Sequence, residues 1–185
     1  MSNQSEAPPK QIGAVRIETD RLILRPPGPG DAGAIYQGIN DFDVVRMLSR
    51  APWPYRFEDA EAFLARIPGR DPATERPMSI IHREHGLIGG CGFHSDEGQP
   101  FPELGYWLAR VHWGQGYASE VATAALRWAR DGWGKRAIRS SHFVENPASG
   151  RVLVKAGMLY TGVVEPLHCV ARGEDVPARR LIWLA

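Results

Sequence analysis

The sequence predicts a mixed α/β domain around one sheet. Three observations carry that class. Segments with two-residue alternation and segments with helical spacing interleave along the chain rather than falling into separate blocks. The stretch from Phe101 to Val144 reads strand, helix, strand, which implies a parallel pair with a right-handed crossover. The 185 residues suit one domain with its own core, needing no metal or disulfide staples.

The elements follow in order. Polar residues and Pro8–Pro9 make residues 1–11 a tail, and the folded domain is expected to begin near Ile12. Val15–Glu18 and Leu22–Arg25 alternate as short strands. Pro26 to Gly30 is a break, after which Asp31 caps a helix to about Asn40. A second helix runs from about Glu58 to Ile67, with Ala60, Phe63, Leu64 and Ile67 on one face, and Pro68–Gly69 stops it. Met78–His82 and Leu87–His94 flank a hairpin turn, and Phe101–Leu108 is a further strand. Ala118–Trp133 is the strongest helix; Ala118, Ala122, Ala125 and Ala129 form a small-residue stripe that can sit close to a sheet. Ile138–Val144 reads as a strand, Pro147–Ala156 as a helix, and Met158–Val164 and Arg179–Leu184 as late strands.

Composition excludes several classes. Lys plus Arg is 22 and Asp plus Glu is 21, a net charge of +1, so no broad basic field invites nucleic acid. No apolar run approaches the roughly 20 residues that span a bilayer. Residues 1–11 carry no charged and apolar regions of an export signal. Cys91 and Cys169 make neither a disulfide framework nor a zinc site, which fits a reduced, cytoplasmic setting. His82-x-x-His85 lacks a third metal ligand in the sequence, and these are expected to be solvated turn histidines; no metal is expected.

The chemistry concentrates between Trp107 and Glu120, where a strand ends and Gly114-x-Gly116 opens the long helix. A helix's first turn has amides without internal partners, its dipole favours anions, and glycine lets the backbone approach them. The segment is therefore either a phosphate cradle or a tight turn that needs glycine for its dihedrals. A Walker loop is absent, and Ser119 stands where a dinucleotide fingerprint needs its third glycine.

Trp113-Gly114-Gln115-Gly116-Tyr117-Ala118 resembles the Arg/Gln-x-x-Gly-x-Gly/Ala motif of the GNAT superfamily of acyl-CoA-dependent N-acyltransferases. Gly116 and Ala118 match; Trp113 departs from the usual Arg or Gln. The form with Trp113 and Glu120 is similar to the branch of ribosomal-protein N-terminal acetyltransferases. Thr19–Arg25, Glu103–Leu108, Asn146–Ser149 and Lys155–Met158 fit the same branch. The resemblance, from about Ile17 to Val164, implies a mostly antiparallel sheet with a central parallel pair flanked by helices. It also implies acetyl transfer from acetyl-CoA to a primary amine within a ternary complex.

Carried over residue by residue, the resemblance puts the CoA pyrophosphate on the backbone of Gly114, Gln115, Gly116, Tyr117, Ala118 and Ser119. The pantetheine arm lies along Tyr106, Trp107 and Leu108, with the Leu108 N–H polarising the thioester carbonyl. The side chains of Tyr106 and Trp107 are read as core packing. Asn146 is either a pantetheine ligand or a helix N-cap before Pro147, and both roles are compatible. Many family members carry a tyrosine general acid at the position of Leu153; here Ser149, an ordered water or Tyr160 must serve, or the CoA thiolate leaves without a dedicated acid. Glu103 shares a strand face with Gly105 and Trp107 and is read as a base acting through water. The alternative is a surface glutamate at a strand start, just after Pro100 and Pro102.

Acceptor selection falls, by resemblance, to residues 31–67 and 165–179. Trp53 and Tyr55 are expected to wall the acceptor groove, and Arg46, Arg50 and Arg56 to meet carboxylates or simply carry surface charge. The acceptor is a small-molecule amine or a protein N-terminus, and a homodimer is an open option for assembly. The rival reading is a catalytically silent acyl-CoA sensor, motivated by the missing tyrosine. His142 and Cys91 are read as packed residues, and His112 as an exposed loop residue.

Overall fold

The computed structural model describes residues 15–95 and 98–185; the expected tail and the domain start near Ile12 lie outside them. Eight strands form one sheet in the order β1-β2-β3-β4-β5-β6-β8-β7. They are β1 (Ile17–Glu18), β2 (Leu22–Arg25), β3 (Arg76–His82), β4 (Gly86–His94), β5 (Glu103–Leu108), β6 (Ala137–Phe143), β7 (Leu159–Cys169) and β8 (Glu174–Leu184). The helices are α1 (Ala32–Ile39), α2 (Phe42–Val45), α3 (Phe57–Ala65), α4 (Tyr117–Asp131) and α5 (Pro147–Lys155). Neighbouring strands are antiparallel except β5 and β6, which are parallel, as the strand–helix–strand reading requires. No helix among the described residues is long and apolar enough to cross a membrane.

The alternating strand patterns divide the interior by face. Leu22, Leu24, Ile80, Ile88, Leu104 and Ile138 meet Val121, Ala122, Ala125 and Ala129 of α4 in one core. Each large side chain buried this way contributes about 1.5–3 kcal/mol. On the other face α1 and α3 bury Ile35, Ile39, Val44, Val45 and Tyr55. Ala118 departs from the expected stripe: it is half-buried at the open end of α4, where the cavity described below begins.

Two regions differ from the expectation. The turn α2 falls where the sequence predicts loop; it forms because Asp41 accepts the Asp43 N–H at 2.8 Å and caps it. The last strands are eleven residues each and form one long hairpin, where the sequence suggests shorter strands separated by loop. Pro166 and Pro177 lie opposite each other, so the missing donors fall at one rung and do not end the ladder. The hairpin tip docks on the segment after α2. Val170 N–H donates to the Ser49 carbonyl (3.1 Å) and the Cys169 thiol to the Leu48 carbonyl (3.4 Å).

A buried ion pair ties α1 to the sheet. Arg25 forks onto both oxygens of Asp31 (2.8 and 2.7 Å), while Ser79 on β3 and the Gly28 N–H donate to Oδ2 at 2.9 Å each. Burial pushes the Asp31 carboxyl up, but the Arg25, Gly28 and Ser79 hydrogen bonds outweigh it and hold the group below its ordinary range. Its folded form thus binds a proton less readily than its unfolded form. The contribution to stability is complete at neutral pH and is lost as pH falls through the depressed folded value. Asp31→Asn is expected to cost about 2 kcal/mol at pH 7 in urea unfolding, with the difference from wild type shrinking below about pH 4.

Candidate active site

The parallel pair opens into a cleft. β5 and β6 are in register at Glu103↔Arg139, where Arg139 N–H donates to the Pro102 carbonyl (2.8 Å). One residue on, the Ser140 hydroxyl rather than a main-chain amide reaches the Leu104 carbonyl (2.8 Å), and beyond this the strands part. Ala109 N–H donates to Ile88 on β4 at 2.9 Å, so alternation turns the Leu108 and Tyr106 main-chain groups the other way, into the cleft. A cavity of about 530 Å³ occupies the opening, a size ordinary for a small-molecule site. It is lined by Glu103 to Leu108, by the start of α4, by residues 140–143 of β6, and by Asn146, Ser149, Arg151 and Lys155.

At the head of α4 the main-chain donors are free. Among the described residues, none of the N–H groups from Gly114 to Ser119 donates within the protein, and the first helical bond is Glu120 N–H to the Gly116 carbonyl (3.2 Å). Gly114 (φ 74°) and Gly116 (φ 84°) take left-handed conformations, which leave no side-chain cap and point the amides outward. Such a run of donors at the positive end of a fifteen-residue helix is an anion site. Gly114, Gly116, Tyr117, Ala118 and Ser119 line the cavity; Gln115 does not, and its side chain turns back to the Val111 carbonyl (3.1 Å).

Arg21 and Glu120 hold this loop in place. Arg21 Nη1 donates to the Gln115 carbonyl (3.0 Å) and its Nε to Glu120 Oε2 (2.8 Å), while its guanidinium lies 4.4 Å above the Tyr117 ring. The Thr19 hydroxyl and the Arg21 N–H both reach Glu120 Oε1 (2.6 and 3.2 Å). Burial raises the Glu120 carboxyl, yet the Thr19 and Arg21 hydrogen bonds outweigh this and leave it below its ordinary value. Two motifs about a hundred residues apart are thus one latch, which sequence spacing alone does not suggest. Trp113 serves the loop differently. Its indole N–H caps the Leu108 carbonyl at 2.8 Å, so the departure from Arg or Gln is a structural substitution.

The remaining expected residues fall as follows. Trp107 packs its indole across Gly90 of β4, where a Cβ would lie 2.7 Å from Nε1, and against Gly38 of α1. Asn146 takes the cap role through Oδ1, which accepts the Ser149 N–H (3.1 Å); its Nδ2 has no partner among the described residues, and the residue lines the cavity. Ser149 Oγ lies 2.8 Å from Tyr106 Oη. Glu103 is nearly buried, with Oε1 accepting from Ser141 (2.7 Å) and Oε2 near Arg180 (3.5 Å) and Arg139 (3.7 Å). Tyr55 is 7% exposed inside the helical core, and Trp53, 42% exposed, packs against Phe42. Neither lines the cavity. One end of it is formed instead by Asp43 and residues 46–49, brought there by α2 and the β7–β8 tip. Arg46 pairs with Asp43 (3.4 Å) and Glu145 (3.8 Å), carboxylates of the chain itself.

The histidines are also clarified. His82 is buried rather than solvated. Its Nδ1 accepts the main-chain N–H of Glu84 and His85 (3.1 and 3.3 Å), so the ring proton sits on Nε2 and donates to Tyr117 Oη (3.1 Å). Glu84 supplies a third ligand type beside His82 and His85, with the three donor atoms within 4.8 Å of one another. The two imidazoles are stacked, with ring planes 17° apart. His142 donates from Nδ1 to the Phe143 carbonyl (2.7 Å), leaving Nε2 to accept from Tyr160 (2.9 Å). Both nitrogens are occupied, so His142 is a packed residue as expected. His112 lines the cavity, and burial, then His85 and His82, lower its pKa.

Replacing Arg21 by Met keeps the bulk over Tyr117 but removes the bond to the Gln115 carbonyl. Calorimetry is expected to show CoA affinity falling about tenfold, equivalent to about 1.4 kcal/mol of loop organisation, with the melting temperature changed by only a few degrees.

Comparison with known proteins agrees with this geometry. The family model described as "Acetyltransferase (GNAT) domain" matches residues 21–159. The chain is 31% identical over 154 residues to the uncharacterized N-acetyltransferase YoaA of Bacillus subtilis, covering 80% of this chain and 85% of that one. It is 29% identical over 118 residues to the ribosomal-protein-serine acetyltransferase of Escherichia coli, covering 61% and 65%. Its fold superposes on a GNAT-family acetyltransferase from Bacillus anthracis with a TM-score of 0.79, at 24% identity over 92% of this chain and 98% of that one. With a family match over about three quarters of its length, the chain belongs to the GNAT family of acetyl-CoA-dependent acyltransferases.

Proposed function

We propose that this acetyltransferase moves an acetyl group to a primary amine of low pKa, with an N-terminal α-amino group as the best-fitting acceptor. The unbonded amides at the head of α4 carry the reading, because they open onto the same cavity that ends at Glu103. Acetyl-CoA supplies the acyl group as a thioester, ready for attack by a neutral amine. In this reading Gly114 to Ser119 hold the diphosphate through main-chain N–H groups. Tyr106 and Leu108 offer their strand edge to the pantetheine arm, together with the Asn146 amide, whereas the main-chain groups of Trp107, expected to share this role, face Gly90 of β4 instead. The Leu108 N–H, turned into the cleft, polarises the thioester carbonyl. Ser149 gives a proton or hydrogen bond to the departing sulfur.

Acceptor class follows from what surrounds Glu103. A lysine or polyamine nitrogen has a pKa of roughly 10.4, and an α-amino group one of roughly 7.7–8.0. The first needs a strong base and an acidic lining. Here the carboxylate at the base of the cleft is already shared by Ser141, Arg139 and Arg180. Those guanidinium groups engage the carboxylate oxygens and repel a polycation. Glu103 therefore suits a relay through water from an amine that is substantially neutral already. The similarity to a ribosomal-protein-serine acetyltransferase adds weight to a protein acceptor.

The test is thiol release with a panel of N-terminal peptides, free amino acids and polyamines. Peptide α-amines are expected to turn over, with kcat/KM rising about tenfold per pH unit below about pH 7.5 and levelling above about 8. Glu103→Gln is expected to lower kcat about a hundredfold at about pH 7. Turnover of spermidine-like amines with none of peptides would overturn the acceptor assignment.

A further inference from the structure

The hydroxyl at Ser149 does not stand alone, and its partner comes from the opposite wall of the cleft. Tyr106 lies on β5, paired with Cys91 of β4, and its Oη is 2.8 Å from Ser149 Oγ across the cavity. We propose that Tyr106 is a positioning residue that donates to Ser149 Oγ and thereby turns the Ser149 proton toward the CoA sulfur. This rests on the reading of Ser149 given above.

The distance between the two hydroxyls admits either as donor, and the proposal gives that role to Tyr106. Tyr106 has two acceptors in reach, the Ser149 hydroxyl at 2.8 Å and the Ser149 carbonyl at 3.3 Å. The first is at the ordinary O–H···O distance and the second well beyond it. Burial pushes the Tyr106 phenol up to about 12, against the smaller effect of the Ser149 hydrogen bond, so it holds its proton throughout the neutral range. With Tyr106 donating, the Ser149 hydroxyl has its own hydrogen left for the cavity. Ser149 is fixed from behind as well, because Asn146 Oδ1 holds its N–H.

The step balances without Tyr106 losing its proton. The amine nitrogen forms a C–N bond to the thioester carbon, the C–S bond breaks and the sulfur keeps the electron pair. Ser149 Oγ–H supplies the proton to sulfur, and the proton shed by the amine, taken by Glu103 through water, is passed back through water to Ser149 Oγ. Leu153, at the α5 position where the family resemblance places a tyrosine acid, is fully buried in the core beneath α4 and α5 and has no access to this step. A strand tyrosine paired with a helix serine thus occupies the place of one helix tyrosine.

Tyr106→Phe, Ser149→Ala and the double variant test the arrangement in the full chain. Two readouts apply: steady-state kinetics with a turning-over peptide, and the ultraviolet absorbance of the thiolate of bound CoA as a function of pH. Tyr106→Phe is expected to lower kcat about tenfold with KM for acetyl-CoA within about twofold, and the double variant to be no slower than Ser149→Ala. The bound thiol is expected to ionise at lower pH in wild type than in either single variant. Tyr106→Leu, which fills the core differently, is expected to give the same fall, and guards against a folding defect in the Phe variant. An unchanged kcat or thiol titration in Tyr106→Phe, with Ser149→Ala slow, overturns the role of Tyr106 alone. Effects that add in the double variant, or a slow Tyr106→Phe beside a normal Ser149→Ala, overturn the coupling. A normal rate and titration in Ser149→Ala overturn the reading of Ser149 itself, and the inference with it.

Discussion

Six main-chain donors left without partners between residues 114 and 119 are the constraint on which the rest of this structure turns. A helix start ordinarily satisfies such groups with a side-chain cap. Here Gly116 holds the cap position and has no side chain to give. The loop must then be kept open by contacts that do not use its amides, and the Arg21–Glu120 latch does this by gripping a carbonyl and a carboxylate instead. The short strand β2 and the segment before it are thereby joined to the loop at the head of α4. The alanine stripe of α4 brings the helix close against the sheet so that its positive end meets the cleft.

The cleft itself needs a defect in the sheet. A continued parallel ladder between β5 and β6 would fill it with backbone. The Ser140 hydroxyl terminates that ladder at Leu104, and the Trp113 indole satisfies the Leu108 carbonyl at the far end. Between these two side-chain bonds the Tyr106 and Leu108 groups stay available. Beside β5, Gly90 of β4 and Gly38 of α1 leave room for the Trp107 indole, which a Cβ at either position would meet at 2.7 and 3.1 Å.

Much of this is legible in the sequence because it is local. The strand–helix–strand unit, Gly114 and Gly116, the Asn146–Pro147 cap and the alanine stripe each depend on residues within a few positions of one another, and each appears in the structure. What the sequence hides depends on distance. The Arg21–Glu120 pair, the Tyr106–Ser149 hydroxyls and the Glu103–Arg180 contact join elements whose neighbourhood is set by topology, and no spacing rule encodes them. Tyr55 misleads for the opposite reason. An aromatic in a proline-rich loop looks exposed, whereas α1 and α3 close over it. The full length of β7 and β8 is hidden likewise, because only their pairing shows that Pro166 and Pro177 share one rung and leave the ladder to continue past it.

The two ends of the cavity are held by different means, and this bears on how such a protein acquires its acceptor. The end at the head of α4 is built from main chain in a latched loop, and almost any side-chain change there must preserve left-handed glycine geometry. The other end is built from one helical turn, a following segment, and a hairpin tip that holds it by the Ser49 and Leu48 carbonyls. Those holding bonds use backbone on the helical side, while Leu48 also packs on the helical core and Arg46 pairs with Asp43 and Glu145. Under the proposed function this second end takes the amine, so selectivity can change through Met47 and Ser49 while the arrangement of Leu108, Asn146 and Ser149 remains as it is.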